Sequence, residues 1–209
     1  MMNIDRYNEL GAAIIRRDQT NRIRFLRQSI TLTGFGTATF EAGIQSLQAV
    51  HAFFDRHLPE GKLDECSIID QCDDHFGIHL TNRYFTTRRE SDSQTEQAIE
   101  FPTEVDPQRI LTNLISDQFV HTEQNEVKYY NRSVSECGAI KYVVSPLNLR
   151  YEFVKVNLRY ETITPVTFRV GDIVEAKATL MVLPLRGGNF KLTAVLRGIT
   201  ILDTTYMQV

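Results

Sequence analysis

The clearest alternation of hydrophobic and polar residues lies in the last third of the chain. Residues 173–183 place apolar side chains at even positions, whereas Glu175, Lys177 and Thr179 are polar. Residues 190–202 alternate again, and Gly187 and Gly188 between the two runs suit a hairpin turn. These patterns predict a long antiparallel hairpin. Because one hairpin alone is unstable in water, further strands must flank it, and residues 142–160 are the expected partners.

Helical spacing is clearest in the first half of the chain. Apolar residues from Phe40 to Phe54 predict a helix over 37–57, which Pro59 and Gly61 end. A second helix is predicted over 4–17 and a third after Asp106-Pro107, where an N-cap precedes a proline. The remaining patterns predict strands at 22–33, 76–86 and 127–130 and a short helix near 67–71.

Together these elements predict an α+β protein, in which a helical N-terminal half packs on a C-terminal antiparallel sheet or partly closed β-barrel. Residues 88–97 contain no apolar side chain and are the expected boundary. The predicted division is a mixed α/β part over 1–97 and a β-rich part over 98–209. One continuous domain is the alternative.

Composition narrows the class of protein. A chain of 209 residues that is 42% hydrophobic can bury a core without disulfides or metal. The net charge of −3 argues against a polybasic nucleic-acid binder but not against a local basic surface. Three cysteines, an odd number, indicate a reducing compartment. A polar N-terminus and the absence of long apolar runs predict no membrane contact and an intracellular location, in the cytoplasm or nucleus.

Two C-terminal segments carry a resemblance. The sequences FRVGDIVEA at 168–176 and KLTAVLRGITILD at 191–203 resemble a pattern in uncharacterised fungal proteins. The resemblance covers about the last fifth of the chain. It implies that this stretch is one folded unit, and it implies no activity and no site residues.

A group of cysteines and histidines is the candidate metal site. Cys66, Cys72, His75 and His79 have the soft sulfur and imidazole groups that zinc favours. Their spacing is C-x5-C-x2-H-x3-H, whereas structural zinc sites usually separate the cysteine pair by two to four residues. On an extended chain the two histidines would lie ~13 Å apart. No cofactor is therefore expected, and zinc is the alternative.

Cations interleaved with aromatic residues mark a second candidate site. Single-stranded nucleic-acid binders use cations for phosphates and rings for bases. Residues 150–197 combine such cations with Tyr151, Phe153, Tyr160 and Phe190, although acidic residues dilute the charge and a solvated sheet face is the alternative. The candidate contacts are Arg150, Arg159, Arg169, Lys177, Lys191 and Arg197.

Three classes of function remain open. The first is a non-enzymatic interaction or assembly module that binds a protein partner or itself, through sheet edges or the helix over 37–57. The second is a β-barrel that binds single-stranded nucleic acid. An enzyme is the third, because the chain has no Gly-x-Ser-x-Gly motif and Cys137 lies in no recognisable signature.

Overall fold

The computed structural model describes residues 22–72, 75–88, 97–135 and 157–203. One long α-helix, α1 (Ala38–His57), lies in this part of the chain. Short 3-10 turns occur at Thr112–Leu114, Glu123–Asn125 and Pro165–Thr167. The strands are β1 (Arg27–Thr33), β2 (Ile69–Cys72), β3 (His75–Arg83), β4 (Thr86–Thr87), β5 (Phe119–Val120), β6 (Lys128–Ser135), β7 (Asn157–Thr162), β8 (Ile173–Pro184) and β9 (Phe190–Asp203).

Seven of the strands form one mixed sheet around β9. One edge of β9 pairs antiparallel with β8 along its whole length. Its other edge pairs in parallel with β3 at Val195 and then with β6 over 198–201. Antiparallel partners complete the sheet: β1 and β2 pair with β3, and β7 pairs with β6. Strands β4 and β5 form a separate two-stranded sheet.

The β8–β9 hairpin confirms the strongest expectation from the sequence. Its turn places Gly187 at φ 91° and Gly188 at φ 80°, a region of backbone conformation that glycine occupies without steric cost. The predicted helix over 37–57 is also confirmed. Thr37 is its N-cap and Leu58 its C-cap.

A β-bulge at Arg197 changes the alternation within β9. Ala178 pairs with Leu196 and Lys177 with Gly198, so that Arg197 has no opposite residue on β8. One extra residue moves the following side chains to the other face of the sheet. Ile199 therefore joins Leu196 in the core, although the two differ by an odd number of positions.

The core lies on one face of the sheet, where α1 covers it. Leu47, Val50 and Phe54 of α1 pack against the main cluster of buried apolar residues. A second cluster lies among the loops that surround β4 and β5. The main cluster contains Ile68, Leu80, Val127, Tyr129, Leu192, Ala194, Leu196 and Ile199, and the second contains Ile23, Phe85, Phe101 and Phe119.

Polar side chains fill the place where β9 leaves β3 and meets β6. Asn82 Nδ2 on β3 donates to the carbonyl oxygens of Gln124 and Leu196, each at 3.1 Å. The Arg197 guanidinium also donates to Gln124, both to its carbonyl and to Oε1. These bonds satisfy backbone carbonyls near the point where strand pairing changes, and a buried carbonyl without a donor is costly.

A second layer of buried hydrogen bonds supports the turn that begins after Thr122. Asn125 Oδ1 accepts bonds from Thr122 and Thr86, and the Asn125 carbonyl accepts one from Gln28 Nε2 at 3.1 Å. The Tyr129 hydroxyl donates to Gln28 Oε1 at 2.7 Å. Burial raises the pKa of Tyr129, so the hydroxyl keeps its proton and remains a donor.

The predicted fold class is wrong. The described chain is mostly sheet with a single long helix, and it is not a helical half packed on a sheet. The sheet is mixed because β9 has parallel neighbours. It is not a closed barrel, since β1 and β7, the two ends of the described strand order, do not pair with each other. The predicted helix over 4–17 lies outside the described residues, as do residues 142–156.

The helix predicted after Asp106 is replaced by turns and one short 3-10 turn. Asp106 Oδ2 accepts bonds from the backbone N and the Oγ1 of Thr112, both at 2.7 Å, and is thereby drawn to the far end of the segment. Arg109 adopts φ 56°, which no α-helix accommodates. The short helix predicted near 67–71 is likewise absent there, because 69–72 form β2.

The predicted division into 1–97 and 98–209 stays a prediction. The sheet contains strands from both ranges, because β3 of the first pairs with β9 of the second.

We expect Gly198→Val to lower the free energy of unfolding by about 1–3 kcal/mol, as overpacking does. A Cβ at Gly198 would lie 3.2 Å from the Lys128 carbonyl oxygen, and the valine methyls need more room still. Gly43→Ala is the matched control, since nothing lies within 4 Å of a Cβ added at Gly43 and alanine favours the helix. Urea denaturation measures both variants. Equal stability of the two variants would contradict the close approach of the β6 backbone to Gly198.

We expect Asn82→Ala to lower the free energy of unfolding by about 1–3 kcal/mol, because the buried Leu196 carbonyl loses the donor that Asn82 supplies. The exposed Asn113→Ala serves as the control. Thermal and urea unfolding compare the two variants. A loss for Asn82→Ala no larger than that of the control would show that the junction contributes little.

Candidate functional site

The four predicted metal ligands lie in different surroundings. Cys66 packs against the main core cluster. His75 and His79 share one face of β3 but are four residues apart on an extended strand, ~13 Å. Cys72 pairs with His75 in the β2–β3 hairpin, and its side chain is outside the described part. Among the side chains that the structure describes, no three His, Cys, Asp or Glu residues form a group that could hold a metal ion.

The candidate nucleic-acid contacts divide between the faces of the sheet. We call the face of β6–β9 that points away from the main core cluster the outer face. Lys177 and Lys191 lie on it, because each alternates with core residues. Arg197 joins them, since its Nε donates to Thr179 Oγ1 on the same face at 3.3 Å.

The other three candidates lie elsewhere. Arg159 pairs with Ser133 on β6, and Ser133 has the phase of the core residue Tyr129. Arg159 therefore points to the opposite face from Lys177. Arg169 lies in the exposed loop before β8, where its backbone N donates to Asp172 Oδ2 at 2.8 Å. Arg150 is outside the described residues.

The outer face brings together residues that the sequence patterns did not single out. Lys128, Tyr130 and Arg132 alternate with the core residue Tyr129 along β6 and so lie on it. Arg132 pairs with Tyr160 of β7, whose ring lies 6.4 Å from that of Tyr130 at an interplanar angle of 82°. Part of the signal was present in the sequence, since Lys128 and Tyr130 occupy even positions of the strand predicted over 127–130, whereas Arg132 lies beyond its predicted end.

A long strand edge is the other prominent surface. Among the described strands, β8 pairs with β9 alone, so its second edge is free over 12 residues. Met181 and Leu183 of β8 lie on the outer face and are exposed, as is Leu185 just beyond the end of the strand. Its inward side chains include Val174, Ala176, Leu180 and Val182, which pack against the core cluster.

A buried histidine lines a small cavity between the two core clusters. His121 Nδ1 donates to the Tyr84 carbonyl at 2.8 Å, and its ring stacks on Phe101 with centroids 3.8 Å apart. The cavity also meets Gln28 and Glu126, and its volume of about 10 Å³ has room for about one water molecule. Burial lowers the pKa of His121, although the Tyr84 carbonyl and Glu126 act in the opposite direction.

The geometry around His121 supports structure and not catalysis. The imidazole is 2% exposed, so a substrate has no access to it. The buried carboxylate of Asp106 is likewise bonded to Thr112 at the start of a turn. Both buried side chains are therefore engaged in holding the fold.

Comparison with known proteins adds no family to these observations. No family model, curated protein or solved structure matches the chain. The resemblance of the C-terminal segments to fungal proteins stays a prediction. No helix within the described ranges is both long and apolar enough to cross a membrane.

We expect the protein to lose stability as the pH falls below about 6.5, the usual pKa of histidine. The folded state keeps His121 neutral while the unfolded state binds a proton, so the free energy of unfolding falls until the pH reaches the lowered pKa. His121→Asn keeps a donor for the Tyr84 carbonyl but does not titrate. Between neutral and mildly acidic pH, the urea midpoint of this variant should therefore fall less than that of the native protein. An equal fall of the midpoint in both proteins would contradict the role of His121 in the pH dependence.

Proposed function

We propose that the protein is a non-enzymatic assembly module that binds a second copy of itself through the free edge of β8. The observation that carries this proposal is the length and apolar character of that edge. It spans 12 residues, whereas a typical strand has about five or six. An edge of this kind presents a row of backbone N–H and C=O groups that can pair with another strand.

The protein has few of the devices that protect strand edges. Natural edge strands carry inward-pointing charges, prolines or bulges that prevent pairing. Here the inward positions Val174, Ala176, Leu180 and Val182 are apolar, and Pro184 blocks only the last position. Lys177 is the cation on the strand, and it lies on the outer face. These features favour pairing over protection.

Antiparallel pairing of two copies about a two-fold axis at Ala178 would use the whole strand. Such an interface is self-complementary, because each pair of residues away from the axis occurs twice, once on either side of it. Ile173 would oppose Leu183 of the second copy, and Lys177 would oppose Thr179, so no like charges face each other directly. The arrangement would join two seven-stranded sheets into one.

The same proposal includes the location of the protein. An odd number of cysteines, with Cys66 free, suits a reducing intracellular compartment, the cytoplasm or the nucleus.

Analytical ultracentrifugation tests the assembly. We expect a mass near twice 24.0 kDa for the native chain. The double substitution Met181→Lys with Leu183→Lys should give 24.0 kDa, because charges at an edge disfavour pairing.

Val166→Lys with Val170→Lys is the matched control, since it adds the same charge at exposed residues outside β8. The control should keep the native mass, and circular dichroism should show all three proteins folded. A native chain that stays monomeric at the highest concentration reached, or a control that dissociates as the β8 variant does, would refute the proposal.

A further inference from the structure

Two tyrosines on the outer face have ring surface to offer to a ligand. Tyr160 is 52% exposed although it lies within a strand. Tyr130 is half-buried and meets it edge to face, so that each ring supports the other, while Tyr160 keeps ring surface toward solvent. Exposed aromatic rings of this kind are the platforms on which nucleobases stack in single-strand binding proteins.

Cations surround these rings on the same face. Lys128 and Lys177 flank Gly198 on the two neighbouring strands, so their Cα atoms are ~10 Å apart, two strand spacings. Gly198, which lies between the two lysines, is itself buried. Arg132 lies beside Tyr160, and its buried Nε has no hydrogen-bond partner.

The carboxylates near this face offset only part of its charge, since Glu175 shares the face with Lys128, Arg132 and Lys177. Within the described chain, no carboxylate forms an ion pair with Lys177 or Arg132. Glu126 approaches Lys128 at 3.7 Å, but the lysine side chain is 57% exposed and such pairs are weak. Glu175 lies on the outer face, whereas Glu161 pairs with Asn131 and therefore points to the other side.

We infer that the outer face binds single-stranded nucleic acid, with Tyr130 and Tyr160 stacking on bases and with Lys128, Arg132 and Lys177 contacting phosphates. Single strands fit better than duplexes, because paired bases do not offer their faces to protein rings. Cations alone would suit any polyanion, so the tyrosines determine the class of ligand. The inference does not depend on assembly through β8, since β6 and β7 carry both rings.

Fluorescence anisotropy with a labelled oligothymidine of about 20 nucleotides tests the inference, since that length exceeds one binding site. We expect binding that weakens as salt rises. Tyr160→Ala should weaken binding about fivefold to a hundredfold, the loss that accompanies one unstacked base. Lys177→Gln should reduce the slope of log K against log salt by about 0.7.

Arg159→Ala is the matched control, because Arg159 is adjacent to Tyr160 in sequence but points to the opposite face. It removes a full charge and should nevertheless change binding less than Tyr160→Ala, which removes none. Tyr160→Phe keeps the ring and should bind as the native chain does, which separates stacking from loss of folding.

Two outcomes would overturn the inference. The first is the absence of binding to the native chain at low salt. The second is binding that polyglutamate displaces as well as unlabelled oligothymidine does, with Tyr160→Ala unchanged; the face would then be a general surface for polyanions. Analytical ultracentrifugation of the same samples measures self-association separately, so the failure of nucleic-acid binding can be distinguished from the failure of assembly through β8.

Discussion

The sheet depends on the way β9 divides one of its edges between two parallel neighbours. Its first half meets β3, its second half meets β6, and β8 follows it on the other side throughout. The bulge at Arg197 lies between the two contacts. By changing the phase of the side chains there, it lets a single strand present apolar residues to the core on both sides of the division. The core cluster joins Leu196 to Ile199 across this point.

Such a division leaves backbone groups that no ladder satisfies, and the protein supplies side chains for them. Asn82 and Arg197 both converge on Gln124, while Asn125, Gln28 and Tyr129 form the layer beneath. Buried polar networks of this kind add specificity when every member is satisfied, because competing arrangements leave members unpaired. The register of β9 against its neighbours is therefore fixed by hydrogen bonds as well as by apolar packing.

Local patterns in the sequence predicted local elements well. The helix over 37–57 and the β8–β9 hairpin both follow from periodicity and turn residues. The parallel neighbours of β9 were not predictable in this way, because pairings between residues as distant as Thr81 and Val195 leave no trace in periodicity. The helix expected after Asp106 does not form for a related reason. The hydrogen bonds from Thr112 to the Asp106 side chain outweigh the local preference for a helix.

The candidate surfaces show the same limit. Alternation within a strand separates Lys177 from the apolar residues of β8, but register was needed to place Lys191 on the same face and Arg159 on the other. Tyr130 and Tyr160 come from strands joined by a long intervening segment, so their contact is a product of pairing between β6 and β7. The order of cations along the sequence could not contain that information.

The position of β9 in the chain also affects how the protein is made. The strand at the centre of the sheet is the last of the described strands to be synthesised. Strands β1 to β3 and β6 to β7 leave the ribosome as two separate groups, and neither has its shared neighbour until residues 190–203 have emerged. Nascent chains expose unpaired edges during that interval, which is when chaperones act. Completion of the sheet is thus a step that follows translation of its final strand, and long-range parallel pairing makes that step slow.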